Sequence, residues 1–218
     1  HSTSSAASDV YKRQVLCGSM VSGLGAVFNQ ADLLGGENIA VFGAGPVGLG
    51  VVQAARMRHA NNIIVIEPSS AKRELAKAFG ANYIIDPDEV GQHLVETIQE
   101  LSRGGVDFAF ECSGDKSAIQ NAVASTQISW GKTLLLSSPS SLELLVLDLS
   151  LITSGRQIQG SVFGGIQGRS EMADYVRLYQ EGHILVKPLI TRTATLHEVN
   201  DCLALASDPD TVRSVIEF

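Results

Sequence analysis

The chain has 218 residues, is 44% hydrophobic and 18% charged, and carries a formal charge of −7. That size and mix suit a globular protein with one sizeable core, and the 6% aromatic content suits an aliphatic α/β interior. An acidic pI of about 5.2 with no basic run argues against nucleic acid or anionic membranes as partners, and Leu142 to Ile152, broken by Glu143 and Asp148, cannot span a bilayer.

Residues 1–14 read H-S-T-S-S-A-A-S-D-V-Y-K-R-Q. Ser4 to Gln14 is what a transposase-type DNA sequencing adaptor would encode if translated in frame. The apolar core that a secretory signal needs is absent from it. The segment is expected to be an artefactual tail, with the genuine protein beginning near Val15 and its own N-terminus missing. Cys17, Cys112 and Cys202 are scattered, with no C-x-x-C, which fits a reducing cytoplasm rather than a disulfide framework.

Val15 to Phe28 is apolar with small residues and predicts a lead-in helix, ended by the Ala31 to Gly36 turn. Ile39 to Phe42 then has the length of a buried strand. Gly43, Gly45 and Gly48 follow in G-x-G-x-x-G spacing, and an apolar helix continues from Pro46. Gly43 permits a tight turn, Gly45 lets backbone approach a pyrophosphate, and Gly48 lets helix pack on strand. Pro46 fits the first helical position, whose N–H has no intrahelical partner. Free N–H groups there favour phosphate. A second strand, Ile63 to Ile66, ends in Glu67, 19 residues after Gly48, where a carboxylate accepts ribose hydroxyls and repels a 2′-phosphate, favouring NAD over NADP.

Further on, Ser70 to Phe79 predicts a helix stopped by Gly80, and Tyr83 to Ile85 a third strand. Val90 to Leu101 has helical apolar spacing. Val106 to Phe110 predicts a fourth strand, Lys116 to Ala124 a helix, Thr133 to Leu136 a fifth strand and Gln157 to Val162 a sixth. The alternation predicts an α/β, doubly wound parallel sheet of the Rossmann type. The last third departs from it: helix Glu171 to Glu181, strand Leu189 to Ala194, helix His197 to Ala206 and strand Val212 to Phe218, a partial second domain.

These blocks together resemble the medium-chain dehydrogenase/reductase superfamily, and within it the zinc-dependent alcohol dehydrogenases. The carrying motifs are G-x-G-P-V-G at Gly43 to Gly48 and I-x-x-I-E at Ile63 to Glu67. To these add A-K-R-E-L-A at Ala71 to Ala76 and F-G-A at Phe79 to Ala81. The later ones are G-G-V-D-F-x-F-E-x-S-G at Gly104 to Gly114, G-S-V-F-G-G at Gly160 to Gly165, and T-V-R-S-V-I-E-F at the C-terminus. The resemblance implies a coenzyme domain over 15–163 and, over 164–218, the returning piece of a GroES-like catalytic domain whose larger part lies upstream. It implies a homodimer or homotetramer acting on a small alcohol or aldehyde in the cytoplasm. Hydride passes to NAD, and a catalytic zinc polarises the alcohol oxygen.

The resemblance also assigns residues. Glu67 and Lys72 fall on the adenosine ribose, Arg213 on the coenzyme phosphates, and Val47 behind the nicotinamide. Ser137 and Phe163 hold the carboxamide through backbone groups, and Ser22 is a hydroxyl near the ring. Cys17 falls in the segment that supplies the third zinc ligand, although one branch of the family would put that ligand at Gly18, and a buried thiol is the alternative. The alternatives are a solvated helix lysine at Lys72, an equal reading, and, as the lesser reading, a surface arginine on an edge strand at Arg213. Ser138 and Val162 are small candidate pocket residues. The G-H-E segment and the four-cysteine zinc lobe of the family are absent, so this chain is expected to bind NAD(H) without turnover and to hold no catalytic residue of its own. A zinc-free quinone-reductase-type enzyme and a non-catalytic NAD-binding module are the alternatives. A methyltransferase would not need Gly48, and no Y-x-x-x-K of a short-chain dehydrogenase occurs.

Overall fold

The computed structural model describes residues 10–137, 144–205 and 208–217. Six parallel strands form one sheet: β1 (Asn38–Phe42), β2 (Asn62–Ile66), β3 (Tyr83–Ile85), β4 (Phe108–Glu111), β5 (Lys132–Leu135) and β6 (Gln157–Gly160). Their order is β3-β2-β1-β4-β5-β6, so the winding reverses between β1 and β4. That is where a doubly wound sheet opens a ligand crevice. In β1 and β2 every residue after the first is buried, because helices cover both faces of a parallel sheet. In register, Phe42 stands opposite Ile66 on one side and Glu111 on the other. The chain therefore leaves β1, β2 and β4 at one level, as Gly43, Glu67 and Cys112.

The lead-in helix α1 runs over residues 10–31, with wider π-helical turns at Leu16–Met20 and Ala26–Ala31. It is longer than expected at both ends and includes residues 10–14 of the presumed tail, where Tyr11 packs against the core. Its central turn lies backbone to backbone on α2 (Pro46–Met57). A Cβ on Gly23 would sit 2.0 Å from the Val47 carbonyl oxygen, and one on Gly50 would sit 2.4 Å from that of Met20. Glycine on both faces allows the approach.

Helix α3 (Ser70–Phe79) is capped by Ser69, whose hydroxyl accepts from the Lys72 N–H at 3.2 Å, and it stops at Gly80 with φ of 114°. The expected helix from Val90 is broken. Gly91, at φ 53° and ψ −127°, separates a single turn Pro87–Val90 from α4 (Leu94–Ser102). Val90, Leu94, Ile98 and Leu101 still pack in one cluster, so the apolar spacing reports the buried face but not the interruption. β4 begins two residues later than expected; Val106 instead bridges Thr126. It is followed by α5 (Lys116–Ser125). β6 ends at Gly160, leaving Val162 87% exposed. A short helix α6 (Leu149–Thr153) was not foreseen.

The last part of the chain holds α7 (Gly168–Gln180), a parallel pair β7 (Ile190–Thr195) and β8 (Arg213–Glu217), and α8 (Val199–Ala204), which is shorter than the expected His197 to Ala206. Ser138, Ala206 and Phe218 lie outside the described residues. Buried Gln53 on α2 clips this segment to the sheet domain: its amide oxygen accepts from the Leu185 N–H at 2.7 Å, and its nitrogen donates to the Leu185 carbonyl at 3.2 Å. No helix among the described residues is long and apolar enough to cross a membrane.

Candidate functional site

A cleft of about 580 Å³ opens at the reversal point, lined by Gly43, Gly45, Glu67, Lys72, Cys112 and Asp115 among others. The sequence motif accounts for its floor. Gly43 takes φ of 93°, and a Cβ there would press on the Ser113 backbone nitrogen at 3.2 Å. A Cβ on Gly48 would meet the Gly43 carbonyl oxygen at 1.9 Å, which brings α2 down onto β1. At Gly45 a Cβ would meet nothing within 4 Å. Gly45 caps α2 in an extended conformation with no side-chain partner, and Pro46 follows at the first position. The first turn therefore presents its N–H groups to open space, the arrangement that binds a phosphate.

Glu67 is buried. One carboxylate oxygen accepts from the Ala44 N–H at 2.7 Å and the other from the Ser69 N–H at 2.9 Å. Each oxygen keeps a second lone pair for a ligand hydroxyl. Ser69 donates its hydroxyl to Asp210 at 2.7 Å, which ties the last part of the chain to this corner. Arg73 holds the same loop, donating to the carbonyls of Glu67 and Pro68 and pairing with Asp86 at 2.7 Å. Lys72 lies half-buried on the first turn of α3.

Three residues that the resemblance assigns to the nicotinamide end lie on elements that pack together: Ser22 on α1, Val47 at the head of α2 and Phe163 in the Phe163–Gly165 turn. A Cβ on Gly164 would sit 2.5 Å from the Ser22 carbonyl oxygen, and Val47 touches α1 at Gly23. Phe163 takes φ of 52°, unusual for a non-glycine residue. Ser137 follows β5, and its hydroxyl donates to Glu111. Arg213 is placed apart from these. It opens β8 and lines a separate cavity of about 760 Å³ with Gly18 and Ser19 of α1, while Asp210, three residues earlier, reaches Ser69 beside Glu67.

Cys17 lies in the first π-helical turn of α1. Burial pushes its thiol up, with Arg13 pulling the other way. No group of three His, Cys, Asp or Glu side chains that could hold a metal occurs among the described residues. One thiol does not make a zinc site, and the residues present do not by themselves fit one.

Two acids have no role in the sequence reading: Asp115, which lines the cleft, and Glu111, buried behind its wall. Asp115 caps α5, accepting from the Ala118 N–H at 2.9 Å. Hydrogen bonds from Ser117 and Ala118 hold its carboxyl below the usual range. Glu111 is wholly buried at the end of β4. Its signal was available: like Glu67 it is an acid ending a strand, and Ser113 and Gly114 follow in the spacing of a turn that a carboxylate can cap.

The family model for zinc-binding dehydrogenases matches residues 46–181. The chain belongs to the zinc-binding dehydrogenases. It shares with the medium-chain dehydrogenase/reductase superfamily an oxidoreductase-type NAD-binding fold. The S-(hydroxymethyl)glutathione dehydrogenase of Haemophilus influenzae is 35% identical over 203 residues, covering 93% of this chain and 53% of the relative. The protein of that name from Escherichia coli O1:K1 is 36% identical, with coverage of 93% and 54%. Benzyl alcohol dehydrogenase from Acinetobacter calcoaceticus superposes with a TM-score of 0.86 at 28% identity, over 94% of this chain and 56% of that one. 2R,3R-butanediol dehydrogenase from Bacillus subtilis does so with a TM-score of 0.80 at 28% identity, over 93% and 56%. This zinc-binding dehydrogenase chain thus spans about half the length of the relatives it matches.

Proposed function

We propose that this chain is the NAD(H)-binding part of an alcohol dehydrogenase, with a coenzyme unit over 15–163 and a returning catalytic-domain piece over 164–218. The observation that carries the reading is the open space above Gly45, at the uncapped head of α2 and beside the Glu67 carboxylate. Bound NAD supplies the hydride acceptor. The first-turn N–H groups of α2 hold the pyrophosphate. Glu67 accepts from the adenosine ribose hydroxyls, and Lys72 reaches the same sugar. Ser22, Val47, Ser137 and Phe163 orient the nicotinamide ring, whereas Arg213, which lines a separate cavity, is left out of this assignment.

The names of the relatives support a small alcohol, or its aldehyde, as the substrate of the whole protein. Cys17 is carried forward as one zinc ligand of that whole protein, the others coming from outside this chain. The chain alone binds NADH and does not turn over alcohols. Fluorescence titration tests this: NADH binds with a Kd at least tenfold below that of NADPH, and alcohols produce no NADH. Absence of NADH binding overturns the reading. Tighter binding of NADPH favours a zinc-free reductase, and alcohol-dependent NADH production sinks the claim of no turnover.

A further inference from the structure

Glu111 has no role in the reading above, and its surroundings are unusual. It is 0% exposed, at the ligand end of the sheet. One carboxylate oxygen accepts from the Ser113 N–H at 2.7 Å, the Ser113 hydroxyl at 2.5 Å and the Gly114 N–H at 2.9 Å. The other accepts from the Ser137 hydroxyl. A carboxylate is an acceptor-only group, and all four of its partners are donors.

Those partners belong to different loops. Cys112 and Ser113 leave β4 and line the cleft beside Gly43 and Glu67. Ser137 leaves β5 on the side assigned to the carboxamide. Glu67 makes the same kind of junction on the other flank, joining the turn after β1 to the loop after β2 through Ala44 and Ser69. We infer that Glu111 is a positioning residue for the dinucleotide: it fastens Ser137 to the wall made by residues 112–114 and so sets the nicotinamide half of the cleft relative to the adenosine half. This rests on the NAD reading proposed above.

The chemistry of an amide gives a selective test. In Glu111→Gln one acceptor oxygen becomes an NH₂ donor. The backbone N–H groups of Ser113 and Gly114 cannot reverse, whereas the Ser137 hydroxyl can turn to accept. The glutamine oxygen therefore stays with residues 113–114, and only the link to Ser137 changes, from a charge-assisted bond to a weaker neutral one. Titrations of the 218-residue chain and its variants with ADP-ribose and with NADH read the two halves separately. Glu111→Gln should leave the ADP-ribose Kd within about twofold and raise the NADH Kd about tenfold. Ser137→Ala should do the same, and the double variant should be no worse than either single one.

A purely structural role would instead weaken both ligands in step with the melting temperature. That outcome, no change for either ligand, or additive effects in the double variant would each overturn the proposal. If the double variant does not fold, the NADH to ADP-ribose ratio in the two single variants decides. A parent chain that binds neither ligand removes the NAD reading and this proposal with it. A parent that binds both while Glu111→Gln fails to separate them removes this proposal alone.

Discussion

Glu67 accepts a 2.7 Å hydrogen bond from the backbone N–H of Ala44, so the acid that ends β2 is fastened into the glycine turn that leaves β1. Its other oxygen takes the Ser69 N–H. The residue that reads from sequence as a ligand contact is also the fastener of the loop that would carry the ligand.

Replacing it should therefore act twice. Glu67→Ser shortens the side chain and leaves the Ala44 and Ser69 N–H groups without their acceptor, at about 1–3 kcal/mol for each that stays buried. For a chain of this size, each kcal/mol lowers Tm by about 2–4 °C. NADH binding should weaken about tenfold while NADPH binding does not weaken, because the like charge facing a 2′-phosphate is gone. Thermal melts and titrations with both nucleotides check this. A variant that melts normally and keeps the parent's nucleotide preference would refute both halves.

Two of the motif glycines, Gly45 and Gly48, should separate cleanly under a single added methyl. At Gly48 the methyl carbon would lie 1.9 Å from the Gly43 carbonyl oxygen, so Gly48→Ala forces α2 away from β1 at a cost of 1–3 kcal/mol or more, roughly the overpacking range. At Gly45 the methyl meets nothing, and the backbone angles suit alanine. Gly45→Ala should fold with Tm within about 2 °C of the parent, yet lose NADH affinity because the methyl occupies the space left for phosphate. Loss of folding in Gly45→Ala, or normal stability in Gly48→Ala, would contradict the assignment.

Legibility followed the range of the interactions. The strand, glycine turn, helix and strand-end acid from Ile39 to Glu67 could be read because each rests on local chemistry: an apolar run, glycines at fixed offsets, a proline at a helix head. The break at Gly91 was hidden, since Val90, Leu94, Ile98 and Leu101 keep their helical spacing across it. Glu111 stands in a motif that gives it no role of its own, because its meaning depends on Ser137, 26 residues away. The approach of Asp210 to Ser69 spans 141 residues and left no periodic trace. Arg213 shows the same limit: its place in β8 followed from pattern, but which cavity it lines is set by how the returning strands pack.

Gln53 is the joint between the two parts of the chain, and removing it should loosen one part before the other. Gln53→Leu keeps the buried volume but strands the Leu185 N–H and carbonyl, which are held at 2.7 and 3.2 Å. Two unpaired backbone groups cost about 1–3 kcal/mol each where water cannot reach them. The returning segment should then be cut by protease near residues 182–186 at a rate at least fivefold above the parent, a ratio of roughly 1 kcal/mol in local opening. Equal cleavage rates in the two proteins would show that the clip is dispensable.

Alkaline stability should depend on Cys112. Burial, and then the neighbouring Glu111 carboxylate, push its thiol well above its ordinary value of 9.0. In the unfolded chain the thiol loses its proton near that value, while in the fold the proton is held to higher pH. Above pH 9 the unfolded state therefore binds fewer protons than the native state, and stability falls as pH rises toward the folded value, by up to about 1.4 kcal/mol per pH unit. Below pH 9 both states are protonated and the group contributes no slope. Cys112→Ala removes the titration: its stability at pH 8 drops modestly for the lost sulfur, but its decline between pH 9 and 10.5 becomes shallower than the parent's. Urea melts at pH 8, 9 and 10 measure both curves. Parallel curves would mean that the thiol ionises alike in both states, and that the wall of the cleft next to Glu111 is open to water.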